Sequence, residues 1–320
     1  MAPRTAKERY VRRGLRSGLA LGIGAAAIWI LVTRLNGLSA RELAADIVDI
    51  PLGRIGIALF LTVISLAALG AQDAIAATVA APGRVTTRRA MVAGSAANAI
   101  AATLGFHTLT ATLVRYRVYR GAGVSATHIA AIISLSSTAV LLSFPVTFSW
   151  IGIWSSASAG FVAHKSAIWI GLASLGLLGA ALGWLAGKPK SIKFRQVVLD
   201  LPSARVAICQ VAIGSLEMTA AIGGLYVLLP VGLLPPFPIF ALTYIGAVAG
   251  GLISHVPGGL GVFEAAMLAG LGADGVAGVV AALLAYRLLY NLLPFVIALC
   301  VLSANEFISG REGGSASSPK

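Results

Sequence analysis

The sequence predicts an all-α integral membrane protein, with about six full spans and two re-entrant helical hairpins arranged as an inverted-topology repeat. Composition is the first reason: apolar residues make up 58% of the 320 residues and charged residues only 11%, a balance that sets aside soluble-enzyme readings. Apolar runs of about 18 residues or more, enough to cross roughly 30 Å of hydrocarbon, are the second. They start near Ser17, Ile55, Ile129, Ala167, Val206 and Val276. The third reason is an internal repeat at an offset of about 151 residues. Asp49-Ile50-Pro51-Leu52-Gly53-Arg54 returns as Asp200-Leu201-Pro202-Ser203-Ala204-Arg205, each just before a long apolar run. Gly105-Phe106-His107 falls on Val256-Pro257-Gly258, and Gly121-Ala122-Gly123-Val124 falls on Gly272-Ala273-Asp274-Gly275.

Residues 1–16 form a basic segment, with Arg4, Lys7, Arg9, Arg12, Arg13 and Arg16, expected in the cytoplasm by the positive-inside rule. A single membrane domain is expected over 17–308, its repeat halves at about 17–150 and 167–302. The span from Ser17 is followed by further spans, and Arg34 is not a small-residue cleavage site, so it is not read as a cleaved signal. After the span from Ile55, Arg84, Arg88 and Arg89 mark the cytoplasmic side again. The stretch Ala90 to Val114 precedes another basic group, Arg115, Arg117 and Arg120, which a single crossing would place outside. Its break at Gly105-Phe106-His107 suggests instead a hairpin that enters and leaves on the cytoplasmic side, its irregular backbone satisfied by protein or a wet cavity.

Ile129 to Trp150 then leads out, Ala167 to Leu185 leads in to Lys188, Lys190, Lys193 and Arg195, and Val206 to Leu229 leads out again. Phe237 to Leu271, broken at His255-Val256-Pro257-Gly258-Gly259 and without Lys or Arg at either end, reads as a second hairpin entering from outside. Val276 to Leu302, bent at Pro294, returns to the cytoplasm, where residues 309–320 are expected to be a disordered tail. Three full spans per half invert the second copy, and the charges change side accordingly. Basic groups flank the first hairpin, whereas Pro235 to Phe240 and Ala266 to Leu271 carry none. The net charge of +13 is therefore read as a topology signal and not as a nucleic-acid surface. Cys209 and Cys300 read as small buried hydrophobes, with no metal site expected.

Ionisable groups inside apolar runs cost roughly 2.5–3.5 kcal/mol each on insertion scales and are retained for a reason. Glu217 near the middle of one span and Arg287 in the last are read as groove or ion-pair residues, against a purely structural pair. Asp73 reads equally as an interfacial carboxylate that snorkels. Arg115 and Tyr119 share a helix face, as do Tyr286 and Tyr290, and Arg287 and Asn291; tyrosines at such places also serve as interfacial anchors, and the Arg115, Arg117 and Arg120 group also serves topology or lipid heads. Ser95, Asn98 and His107 in the first hairpin fit a role in satisfying backbone. In Ser254-His255-Val256-Pro257-Gly258-Gly259-Leu260-Gly261-Val262-Phe263-Glu264, Pro and Gly end one half-helix and let another begin, leaving N–H groups and a positive dipole end suited to a phosphate or carboxylate.

That string, the later Tyr286-Arg287-Leu288-Leu289-Tyr290-Asn291-Leu292-Leu293-Pro294, and Val114-Arg115-Tyr116-Arg117-Val118-Tyr119 with Gly123-Val124-Ser125, resemble the transmembrane region of the lysylphosphatidylglycerol synthetase/flippase family, the bacterial multiple peptide resistance factors. The resemblance covers most of the chain, and the first string is its strongest mark. It implies a flippase-like membrane part that moves aminoacylated phosphatidylglycerol or a related lipid between leaflets of the bacterial inner membrane. With 320 residues, the chain is expected to match that part alone, without the synthetase domain. Motif matching carries over Arg115, Arg117, Tyr119, Pro257, Gly258, Gly259, Glu264, Tyr286, Arg287 and Pro294. One departure is Ala111-Thr112, where relatives tend to have a Gly pair, and it bears on cargo identity.

The expected substrate-binding set is Arg115, Arg117, Tyr119, Glu217, His255, Pro257, Gly258, Gly259, Glu264, Tyr286 and Arg287. Arg115, Arg287 and the dipole at Gly258-Gly259 would hold a lipid phosphate, and Glu217 and Glu264 would offset a cationic head group or carry a coupling proton. No catalytic residue and no cofactor are expected: no Walker-type loop is present, and His107, His255 and Glu264 lack HExxH or GxSxG spacing. The other function class left open is a non-transporting scaffold for a separately encoded lipid-modifying enzyme. Small residues along the spans would also permit a homo-oligomer.

Overall fold

The computed structural model describes residues 40–104, 107–154, parts of 169–184, 191–194, 197–200, 202–254, 256, 259–272 and 276–315. The basic N-terminal segment and the span expected from Ser17 lie outside these residues. In chain order the helices are α1 (Ala40–Val48), α2 (Leu52–Ala80), α3 (Thr87–Leu104), α4 (His107–Arg120), α5 (Ala126–Trp154), α6 (Ala204–Tyr226), α7 (Phe237–Ser254), α8 (Val262–Leu271), α9 (Val276–Tyr286) and α10 (Leu293–Ser315). A π-helical segment, Arg287–Leu292, joins the last two, and Val231–Leu233 is a 3-10 turn. Among the described residues, five stretches are long and apolar enough to cross a membrane: Leu52–Ala80, Ala126–Ile151, Ala204–Tyr226, Phe237–Ser254 and Ala277–Ala304. The chain is a helical multi-pass membrane protein.

The described elements add to these expectations and in places differ from them. Phe237–Ser254, read as one limb of a hairpin, is by itself among the candidate spans, whereas Gly171–Trp184, within the expected span from Ala167, is a shorter apolar helix. The basic stretch after it holds a short antiparallel hairpin, β1 (Ser191–Phe194) with β2 (Val197–Asp200), in which Ser191 pairs with Asp200. Alternating residues such as Ile192-Lys193-Phe194 suit a strand better than a helix. The last helix continues to Ser315, into the stretch read as tail. Cys209 and Cys300 are exposed, on the outer apolar surface with Leu216, Val296 and Ile297. A surface of that kind is what lipid solvates, so an apolar residue in a span need not be buried in protein.

Elements separated by the sequence offset can be compared directly. Helix α2 opens behind Pro51, whose carbonyl accepts from Arg54 and Ile55, and α6 opens behind Ser203, whose side chain accepts from Val206 N–H at 3.4 Å. The broken pair α3/α4 corresponds to α7/α8, the members of each pair packing on one another, and α5 corresponds to the continuous run α9–π–α10. Packing crosses over between copies: α3 lies against α10, and the equivalent α7 lies against the equivalent α5.

Helices α2 and α6, which follow the matching strings at Asp49 and Asp200, form the most extensive helix–helix contact. A Cβ at Gly224 would meet the Ala58 carbonyl, Ser65 bonds to Glu217, and Gln72 bonds to Gln210. Each step of two turns forward on α2 is a step of two turns back on α6, so the equivalent helices run antiparallel. Small residues permit the close approach: a Cβ at Gly214 would lie 2.7 Å from Ser143 Cβ and 3.1 Å from Gln72 Nε2.

Candidate functional site

Among the described residues, Asp73, Glu264 and Glu217 lie within the helical bundle, and each is satisfied differently. Asp73, on α2, is fully buried. Arg115 from α4 binds it through Nε at 3.1 Å and 2.8 Å to its two oxygens and through Nη2 at 2.9 Å. Tyr119, one turn along the same helix, donates to Oδ2 at 3.0 Å, and Ser136 from α5 donates to Oδ1 at 2.6 Å. This forked pairing with two further donors is the arrangement that makes a buried charge pair tenable. Asp73 is therefore not a snorkelling interfacial carboxylate, and the shared face of Arg115 and Tyr119 is turned inward onto it.

Glu264, on the first turn of α8, meets Arg287 Nε at 2.7 Å through Oε1 and accepts from Gly261 N–H at 2.8 Å through Oε2. The second bond fills one of the orphan donors at the start of the helix, the second half of a capping box. Gly259 and Gly261, at φ of 60° and 81°, make the turn that aims this N-terminus. The pair is more open than the first, with the two side chains 18% and 16% exposed, and the guanidinium also lies 5.5 Å over the Phe263 ring. His255, Pro257 and Gly258 lie outside the described residues. Arg287 thus pairs with Glu264 and not with Glu217.

Glu217, on α6, is 7% exposed and meets hydroxyls. Its Oε1 accepts from Ser65 Oγ at 3.0 Å and from Tyr290 Oη at 3.1 Å, and those two hydroxyls lie 2.7 Å apart. Ser65 comes from the first copy, and Tyr290 from the π-helical segment. The Tyr290 ring stacks on Tyr286 at 4.9 Å, and Tyr286 shares a hydroxyl contact of 2.8 Å with Tyr244 of α7. Pro294 explains the π segment: its ring nitrogen has no hydrogen to offer the Tyr290 carbonyl, and the N–H of Leu293 turns to Leu288 one residue further back than in an α-helix.

Two turns along the α2–α6 seam from Glu217, Gln72 donates to the Gln210 carbonyl at 2.6 Å. Gln72 Oε1 and Gln210 Nε2, both buried, find no protein partner among the described residues. The remaining expected residue, Arg117, is on the outside, where Leu113, Val114, Tyr116, Arg117, Arg120 and Gly121 line an open groove of about 630 Å³. Arg120 lies against Tyr116 there, bonding its hydroxyl and covering its ring.

The expected set is thus divided: Arg115 with Tyr119 at Asp73, Glu264 with Arg287, and Tyr286 linked through Tyr290 to Glu217. Ser65, Tyr244 and Ser136 were missed, since a lone Ser or Tyr in an apolar run has no mark in the sequence. Asp73 had one available signal, an arginine and a tyrosine four apart with no other carboxylate near.

No family model matches the chain. Among curated proteins it is 32% identical over 231 residues to the uncharacterized protein slr0712 of Synechocystis, covering 68% of this chain and 69% of that one. It is 29% identical over 201 residues to the inner membrane protein YbhN of Escherichia coli, covering 58% of this chain and 60% of the relative. Over 81 residues it is 44% identical to the phosphatidylglycerol lysyltransferase of Staphylococcus xylosus, a quarter of this chain and a tenth of that protein. By the extent of the first match, the chain belongs to the same protein family as slr0712 of Synechocystis.

Proposed function

We propose that this protein moves a phospholipid between the two leaflets of a bacterial inner membrane, by binding and without bond breaking. The observation that carries the reading is the seam between α2 and α6. Equivalent helices of a repeated unit meet there antiparallel, and buried polar side chains of the apolar bundle face one another along their contact: Ser65 and Gln72 against Glu217 and Gln210. Antiparallel equivalents are what an inverted repeat produces, and transporters of that architecture place their sites at the repeat interface. The broken pairs α3/α4 and α7/α8 are read as the two re-entrant hairpins, with the N-terminus on the cytoplasmic side. The buried donor on Gln210 and acceptor on Gln72 supply hydrogen-bonding capacity that a head group can use.

The lipid class is inferred from chemistry. Arg287 and the start of α8 suit a phosphate, Glu264 suits a cationic head group, and the lysyltransferase likeness over a quarter of the chain adds aminoacylated phosphatidylglycerol as first candidate. Reconstitution into vesicles carrying labelled aminoacyl-phosphatidylglycerol tests this. Leaflet exchange faster than in protein-free vesicles, and lost in Arg287→Ala, is the expected result. Exchange no faster than in empty vesicles, with a lipid-modifying enzyme still captured by the protein, would turn the reading to a membrane scaffold.

A further inference from the structure

Glu217 stands apart from the other two intramembrane carboxylates because its hydrogen-bond partners are neutral. Asp73 has Arg115 and Glu264 has Arg287, but Glu217 has Ser65 and Tyr290. The three oxygens form a closed triangle with edges of 2.7, 3.0 and 3.1 Å. Each edge needs one proton between its two oxygens, and the two hydroxyls supply two. A third proton, on the carboxyl, lets every oxygen in the triangle donate once and accept once. Without it, one edge sets lone pair against lone pair around an anion buried in an apolar bundle, where an unpaired charge is costly.

The surroundings fit the same proton. From α2 the titratable groups are Arg54 at one end and Asp73, held by Arg115; from α5 there is His128 at its start; from α7 there is Tyr244. From α9 and the π segment come Tyr286, Tyr290 and Arg287, the last held by Glu264. The groups nearest Glu217 are therefore hydroxyls. The triangle also joins the two copies, since Ser65 belongs to the first and Glu217 and Tyr290 to the second, so relative movement of the copies opens it.

We propose that Glu217 is the proton-carrying site of the protein, taking a proton from the aqueous phase on one side of the membrane and releasing it on the other as the copies move, so that a proton gradient drives lipid movement. The proton taken up by the carboxylate is the proton released, and no other reactant is needed. This rests on the lipid-moving reading above.

The experiment has two arms. Infrared difference spectra of the purified full chain are expected to contain a protonated-carboxyl stretch at neutral pH that is absent in Glu217→Gln and kept in Glu264→Gln. In vesicles with labelled phospholipid, an imposed pH gradient is expected to speed exchange by wild type, while Glu217→Gln, which retains shape and a donor, no longer responds. Tyr290→Phe opens one edge of the triangle and is expected to move the pH at which the infrared band disappears. A missing band, or exchange indifferent to the gradient, overturns the proton role and leaves the lipid reading intact. Complete lack of exchange by wild type overturns both lipid movement and its coupling, and the infrared band then reports separately whether Glu217 holds a proton.

Discussion

Arg287 and Tyr290 lie on one π-helical segment yet serve different carboxylates: Arg287 Nε reaches Glu264 at 2.7 Å, and Tyr290 Oη reaches Glu217 at 3.1 Å. A single distortion in the last long helix therefore ties α8 to the seam between α2 and α6. Helix α4 is also tied to a long helix, α2, through an ionic group, but with the signs exchanged: α4 carries Arg115 and the acid is Asp73.

The first pair is the more buried and should govern stability. Asp73→Ala leaves Arg115, a residue only 5% exposed, without its charge partner. A loss of about 3–5 kcal/mol is expected. It would be measured by denaturant unfolding in detergent micelles, and the double variant with Arg115→Met should recover part of it because no unpaired charge then remains.

The second pair should govern function more than stability, since both side chains keep some solvent contact. Arg287→Ala and Glu264→Gln are each expected to abolish lipid exchange in vesicles while thermal unfolding changes little. The charge-reversed double variant, Glu264→Arg with Arg287→Glu, should fail to restore exchange, because Glu264 also accepts the Gly261 N–H and an arginine cannot. Full recovery would mean that only the net pairing matters.

The antiparallel seam can be tested by cross-linking. With Cys209 and Cys300 replaced by serine, Ala58→Cys with Gly224→Cys should form a disulfide on oxidation with a membrane-permeant catalyst. Ala58→Cys with Gln210→Cys, the partner a parallel arrangement would choose, should stay reduced.

Close packing beneath Asp73 depends on a missing side chain. A Cβ at Gly94 would lie 2.8 Å from Asp73 Cβ and 2.9 Å from the Leu69 carbonyl. Gly94→Ala is expected to cost about 1–3 kcal/mol in the same unfolding assay. At Gly56 nothing lies within 4 Å of an added Cβ, so Gly56→Ala should leave stability unchanged or slightly raised.

What the sequence determined by itself follows from chemistry that is local or periodic. Apolar run length announced the membrane class, as four of its expected spans coincide with candidate spans in the structure. The Gly-rich string before Glu264 announced the helix start at Val262. Partnership was another matter. Asp73 with Arg115, Ser65 with Glu217 and Tyr290 with Glu217 join positions far apart in the chain, and nothing in a one-dimensional pattern ranks Glu217 above Glu264 as the partner of Arg287. That choice is made by tertiary structure: Pro294 forces a π segment whose extra residue sends two neighbouring polar side chains in different directions. In an apolar medium a carboxylate must take whatever donor the packing brings, and packing brought it cations in two places and hydroxyls in the third.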